Sequence, residues 1–172
     1  MEIRMKPKLI LFAGLLALLT ACSKAEAPVQ AKEPTRGTAC ALDGMILLDY
    51  PGPKGQIVYA NGDTDFFCDT VELLSIYLKP EQQKRVKGIF TQDMGQAAWD
   101  DPRDHWIDAK TAYYVAESKR RGSMGPTLAS FARSEDAQAF AQKYGGKVLR
   151  FNEITPDMVV LDGGVARDET MK

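Results

Sequence analysis

The sequence predicts an α+β fold built from two similar ββαβ halves packed together. Three observations predict it. The order strand–strand–helix–strand occurs twice between Met45 and Phe151. Neither half has enough apolar surface to bury by itself, so the two must share a core. The longest apolar run, Leu9 to Leu19, lies at the N-terminus, outside both halves.

The N-terminal run reads as an export signal. Arg4, Lys6 and Lys8 form a basic region, the apolar run follows, and Leu19-Thr20-Ala21-Cys22 matches a bacterial lipoprotein cleavage site. A run this short is a signal rather than a membrane span. Residues 1–21 are therefore expected to be removed, leaving Cys22 as a lipidated first residue, the site of palmitate attachment. Each buried acyl methylene contributes about 0.8 kcal/mol, so several chains anchor the protein to a membrane. Ser23 points to the outer membrane, with the domain facing the periplasm. Segment 22–38 is polar, contains two prolines and has no hydrophobic period. It is expected to be a flexible tether reaching roughly 20–25 Å.

The first half is assigned to 39–95. Met45 to Tyr50 is apolar and strand-like, Pro51 to Gly55 is a turn, and Gln56 to Ala60 alternates as a second strand. Asp69 or Thr70 caps a helix with Val71, Leu74 and Leu78 on one face, supported by Leu73 and Tyr77. Val86 to Thr91 is the strand that completes this half. Residues 96–108, rich in Trp and Asp, form a linker. The second half, 109–156, has strands at Ala112 to Ala116 and Thr127 to Ala132. A helix capped by Ser134 and stopped by Gly145-Gly146 follows, with a closing strand at Lys147 to Phe151. Residues 157–172 read as a flexible tail.

Composition excludes several classes. The chain has 172 residues and a net charge of −1, and loss of the signal takes the mature form to about −3. No basic stripe is present to neutralise phosphates, so nucleic acid is excluded as a partner. One His and no C-x-x-C pair argue against a structural zinc site. Neither a Walker loop nor a G-x-G-x-x-G turn occurs.

The chemistry gathers in Cys40-Ala41-Leu42-Asp43-Gly44-Met45. Thiolate and thioether are soft donors, and they favour Cu(I). Gly44 lets the chain turn so that both sulfurs face one site, and Asp43 is placed to cap the turn or sit beside a metal. Met45 also reads as the first core residue of a strand. Met124 lies in Gly122-Ser123-Met124-Gly125, a loop poorly suited to a core side chain. Face-to-face packing of the halves would bring Cys40, Met45 and Met124 together. Cys68 sits at a helix start, open to three readings: a further ligand, a disulfide partner for Cys40, or a buried small side chain. The aromatic neighbours Phe66 and Phe67 favour the last. His105, between Asp104 and Trp106, reads first as solvated and second as a ligand.

Several motifs in one order resemble the nitrous oxide reductase accessory lipoprotein family, NosL. They are the lipobox, C-A-L-D-G-M, D-Y-P-G-P-K-G-Q-I, F-C-D-T-V-E, W-I-D-A-K-T-A-Y-Y-V and G-S-M-G. The resemblance runs from about Cys40 to Ile154. It implies two ββαβ halves similar to a domain of organomercurial lyase. It also implies a non-enzymatic Cu(I) metallochaperone serving nitrous oxide reductase maturation in denitrification. Delivery would run through a membrane complex of an ABC transporter and a periplasmic solenoid protein, with the reductase as an indirect partner. By motif, the ligand positions fall on Cys40 and Met124, with Met45 a plausible third sulfur. Two rival readings remain at this level. One is a metal-free docking lipoprotein with a Cys40–Cys68 disulfide, and the other a lyase-like thiol enzyme with Cys40 as nucleophile.

Overall fold

The computed structural model describes residues 28–83 and 85–161. The expected signal, the lipidated Cys22 and the end of the expected tail lie outside them. No helix among the described residues is long and apolar enough to cross a membrane.

Two antiparallel sheets form the body. In the first half, β1 (Gly55–Tyr59) and β2 (Thr64–Phe67) are followed by helix α1 (Thr70–Tyr77), a short helix α2 (Pro80–Gln83) and β3 (Val86–Gln92). In the second half, β5 (Tyr113–Ala116) and β6 (Ala129–Phe131) are followed by α3 (Ser134–Tyr144) and β7 (Lys147–Arg150). With β4 (Trp106–Asp108) between the halves, the strand orders are β2-β1-β3-β4 and β6-β5-β7, so each half places its first strand between its second and third. The chain is α+β, with two ββαβ units.

The two units are joined by helix α1, which buries two faces. Leu73 and Tyr77 pack on Ile57, Phe67 and Ile89 of their own sheet. Leu74, with Val71 and Leu78, packs instead against Tyr114, Leu128 and Leu149 of the second half. At about 25 cal/mol per Å² of apolar surface, such a shared face is worth several kcal/mol to both units. A polar seam runs beside it. Thr91 and Ser130 hydroxyls meet at 2.9 Å, and Ser130 Oγ donates to the Gln92 carbonyl at 2.7 Å. Met94 N–H reaches the Ser130 carbonyl at 2.8 Å.

Several elements differ from expectation. Met45 to Tyr50 is not a strand; Leu47–Asp49 is a 3-10 turn with Leu47 fully buried. Both edges of β1 are already taken by β2 and β3, so the segment has no ladder to join on that strand. Residues 96–108 are more than a linker. Trp106–Asp108 is β4, which pairs with β3, and Trp99 packs into the second-half core. The cap of α3 is Arg133 rather than Ser134, and its side chain makes no capping bond to the helix backbone. The second face of the first sheet is also covered, so β1 does not alternate between buried and exposed.

The cover is part of the expected tether. Gln56 is fully buried and needs partners for its amide. It finds them in Lys32, whose N–H donates to Gln56 Oε1 at 2.8 Å and whose carbonyl accepts from Nε2 at 2.9 Å. Glu33 accepts from Trp106 Nε1 at 2.7 Å, and Pro34 is buried. The segment is therefore docked on the sheet through Lys32, Glu33 and Pro34. At the other end, Pro156–Val159 forms a 3-10 turn that seats Val159, only 2% exposed, in the shared core, so the expected tail begins with one anchored side chain.

Candidate metal centre

The site forms where the C-A-L-D-G-M loop meets the start of α1. Gly44 adopts φ +78°, a conformation other residues rarely hold. The turn it makes is closed by Cys40 N–H on the Met45 carbonyl at 2.8 Å, by Gly44 N–H on the Cys40 carbonyl at 3.0 Å, and by Met45 N–H on Asp43 Oδ1 at 2.9 Å. Cys40 and Met45 are thus held opposite one another. Ala41 N–H then donates to the Phe66 carbonyl at 2.7 Å, which lays this loop along the end of β2. Cys68 follows immediately in that strand's exit. Cys40, Leu47 and Cys68 make one buried cluster, with Met45 packed against it.

Both cysteines are free thiols, and one carboxylate oxygen joins them. Glu72 Oε2 accepts from Cys40 Sγ at 3.3 Å, from Cys68 Sγ at 3.2 Å and from Cys68 N–H at 3.1 Å. One ligand atom from each of Cys40, Asp43, Cys68 and Glu72 lies within 4.8 Å of the other three. Asp43 is exposed while the other three are buried, so the cluster has one open side. This is a cluster of two sulfurs and two carboxylates, with the Met45 side chain packed beside it.

Local structure dictates this convergence. Asp69 is the N-cap of α1, its carboxylate accepting from Val71 N–H at 2.9 Å. Glu72 is the third helical residue, the place from which a capping carboxylate folds back over the helix start. Here it folds back one residue further, onto Cys68, and so faces the thiols.

Charge is arranged in layers. Lys54 is fully buried, and its ammonium donates to the carbonyls of Tyr50 at 2.8 Å, Pro51 at 3.1 Å and Cys68 at 3.1 Å. Burial pulls the Lys54 pKa down to about 8, against the opposing pull of the negative groups around Cys68 and Asp69. Burial pushes Asp69 up to about 6 and Glu72 up to about 7. A hydrogen bond from the Cys68 thiol draws Cys40 down to about 6. Cys68 is correspondingly pushed up, so the pair gives up its first proton at Cys40. Leu42 N–H, 3.4 Å from Cys40 Sγ, adds a backbone donor to that sulfur.

Met124 stands at the tip of a tight turn closed by Gly122 N–H on the Gly125 carbonyl at 2.8 Å. The turn is anchored to the site by Ser123 Oγ, which donates to the Cys68 carbonyl at 2.5 Å. Gly122 is required there, because a β-carbon would run into Asp69 Oδ2 and Thr127. Behind it, Trp99 Nε1 holds the Arg121 carbonyl at 3.0 Å, and the Arg120 guanidinium lies 4.7 Å from the Trp99 ring and 5.2 Å from that of Tyr144. Met124 itself is 42% exposed. His105 is exposed on the loop entering β4, with its carbonyl bonded to Asp93 N–H, and it is not part of the thiol–carboxylate cluster.

Sequence reasoning missed Glu72 and Lys54. A signal for Glu72 was present, since Asp69-Thr70-Val71-Glu72 has capping-box spacing, but nothing in that spacing shows the carboxylate turning toward sulfur. Lys54, in a Pro-Gly turn, reads as a solvated charge.

The family model described as NosL matches residues 31–159. The chain belongs to the NosL family. Two relatives carry the name copper-binding lipoprotein NosL. That of Stutzerimonas stutzeri is 45% identical over 149 residues, covering 84% of this chain and 78% of the relative. That of Achromobacter cycloclastes is 37% identical over 166 residues, covering 91% and 84%. A crystal structure described as the copper chaperone NosL from Shewanella denitrificans superposes with a TM-score of 0.71 at 40% identity, over 74% of this chain and 97% of the other.

Proposed function

We propose that this chain is a lipid-anchored copper carrier that binds one Cu(I) at Cys40 and passes it on. The observation that carries the reading is the convergence of two free buried thiols on Glu72, with Met45 packed beside them and the Met124 turn anchored at Cys68. The names of the family relatives support copper as the cargo. Sulfur donors favour the monovalent ion.

The roles follow from the chemistry. Cys40 supplies the thiolate, since it is the thiol that ionises first. Met45 and Met124 supply uncharged thioethers, and Met124, being exposed, is the ligand that a partner's donor can displace first. Glu72, which accepts from the Cys40 thiol, is placed to take the proton that leaves Cys40 and to return it on release, while Cys68 keeps its own. Asp43 borders the open side of the pocket. From Cys22 the protein would face the periplasm, on the outer membrane. Its recipient would be the ABC-transporter and solenoid complex that assembles the copper–sulfide cluster of nitrous oxide reductase.

Anaerobic competition with bathocuproine disulfonate tests the reading. The expected result is one tightly held Cu(I) per monomer, weakened in both Cys40→Ala and Met124→Ala. Unchanged affinity in both variants would refute the ligand assignment. A second reading gains one observation. A thiol enzyme needs an acid beside its nucleophile, and Glu72 occupies that place. Release of methane from methylmercury by the metal-free protein would promote it; the carrier reading expects none.

A further inference from the structure

Lys54 is a charge that copper binding by sulfur does not require. It sits under the pocket with no exposed surface, and its three donors are all spent on backbone carbonyls. None of those acceptors is a carboxylate. One of them belongs to Cys68, so the ammonium lies one peptide group behind the thiol pair. A methionine or leucine would fill the same volume without the cost of burying a cation. The fixed charge therefore calls for a function at the pocket it faces.

Its effect depends on the charge of what enters. The pocket's donors are two sulfurs and two carboxylates, a set that also suits a tetrahedral divalent ion such as Zn(II) or Co(II). By donor type alone, a cargo site with this composition is exposed to capture by the wrong metal. A cation held behind the pocket repels any metal ion in it, and the repulsion scales with the ion's charge. A divalent ion is disfavoured twice as strongly as a monovalent one. The ammonium also favours thiolate formation, but Cys68 is pushed up and keeps its proton, so either metal meets the single Cys40 thiolate and that help cancels in their ratio. The remaining charged groups facing the site, Asp43, Asp69, Glu72 and the Cys40 thiolate, pull the other way, toward higher cargo charge.

We infer that Lys54 is the specificity-determining residue that biases this pocket toward a monovalent over a divalent metal ion, acting through the backbone of Cys68. The inference rests on the copper-carrier reading and deepens it. Asp69 is its counterweight: fully buried at the same helix start, negative, and outside the cluster of ligand atoms.

The test measures Cu(I) affinity by bathocuproine competition and Co(II) affinity from the thiolate-to-cobalt charge-transfer absorption, in the intact mature protein, and takes their ratio. Lys54→Met is expected to lower the Cu(I):Co(II) ratio by at least about tenfold, because the divalent ion gains more. Asp69→Asn, which keeps an oxygen for the helix cap, is expected to move the ratio the other way. Loss of packing lowers both affinities and leaves the ratio unmoved, so a structural role for Lys54 does not imitate the effect. An unchanged ratio in a folded Lys54→Met protein overturns the inference. If that variant does not fold, an Asp69→Asn ratio that fails to rise overturns it instead. A wild-type protein that binds no Cu(I) removes the carrier reading itself, which is a different failure.

Discussion

The two halves pass from strand to helix through matching junctions, and only one of them carries a candidate site. The first reads Phe67-Cys68-Asp69-Thr70-Val71-Glu72 and the second Phe131-Ala132-Arg133-Ser134-Glu135-Asp136. Both phenylalanines end a strand that pairs with the central strand of its sheet, at Gly55 and at Tyr113. Beyond that point the environments diverge. The first junction lies under the second half: Thr127 Oγ1 reaches Asp69 at 2.8 Å, Thr70 Oγ1 reaches the Leu128 carbonyl at 2.6 Å, and Ser123 reaches Cys68. The second junction has its helix cap at the surface, where Arg133 and Asp136 pair in solvent at 2.7 and 2.8 Å. Ala132 stands where the first half has Cys68, and its N–H is satisfied by Asp93 at 3.0 Å rather than by a carboxylate of its own helix. The same backbone thus serves chemistry where it is roofed and serves folding where it is not. Burial gives Asp69 and Glu72 their raised pKa values and keeps the thiols from solvent, whereas exposure leaves the second set of charges little influence.

Substitutions can break this comparison. The largest effect is expected for Cys40→Ala, which should weaken Cu(I) by at least about a thousandfold in chelator competition, since it removes the thiolate that ionises first. The matching thiol graft at the second junction, Ala132→Cys, should create no Cu(I) site there. The next effect concerns the shared core. Leu74→Ala should cost about 2–5 kcal/mol in urea denaturation. It should destabilise both halves in one transition, because Leu74 lies on first-half helix α1 and packs into the second-half core. Two separate transitions would show that the halves are independent.

The pH dependence of stability sharpens the contrast further. Asp69 and Glu72 hold their protons more tightly when folded than unfolded. Their contribution is therefore full below the unfolded carboxylate range near 4, and it is lost as pH rises through about 6 and about 7. Glu72→Gln should flatten that fall in the metal-free protein by about 2–3 kcal/mol, read from denaturation midpoints between pH 4.5 and 8. The smallest effects are at the helix caps. Asp69→Ala should cost about 1–2 kcal/mol through the lost cap. Arg133→Ala, at the matching position of the second helix, should leave the denaturation midpoint unchanged.

Much of the fold was legible because it is written in local periods and stop signals. The helix from Thr70 follows from Asp69 as cap and from apolar residues at three- and four-residue spacing. The helix ending at Tyr144 follows from Gly145, which adopts φ +76°. The Asp-Gly turn that sets Cys40 against Met45 was legible for the same reason. What failed were judgements about partners far along the chain. Residues 28–38 look like a free tether because they are polar and lack a period. They are docked at Lys32 because Gln56, 24 residues away, has a buried amide that only their backbone satisfies. Met45 to Tyr50 has the composition of a strand but no open edge of β1 beside it. Cys68 looked like a buried small side chain, which it is, and its second property, a place beside Cys40, depends on a contact across a sheet.

The sequence by itself determined helices α1 and α3, most of the strands, the twofold ββαβ plan, the soft donors and the family, since each is recorded in residue identity and short-range spacing. Only the tertiary structure decided that Cys40 and Cys68 share Glu72, that Lys54 lies behind them and that the Met124 turn is fixed at Cys68. The physical reason is that charge and sulfur chemistry depend on distance and dielectric. Those are set by which surfaces are pressed together when the two halves exclude water from the face of α1 that they share.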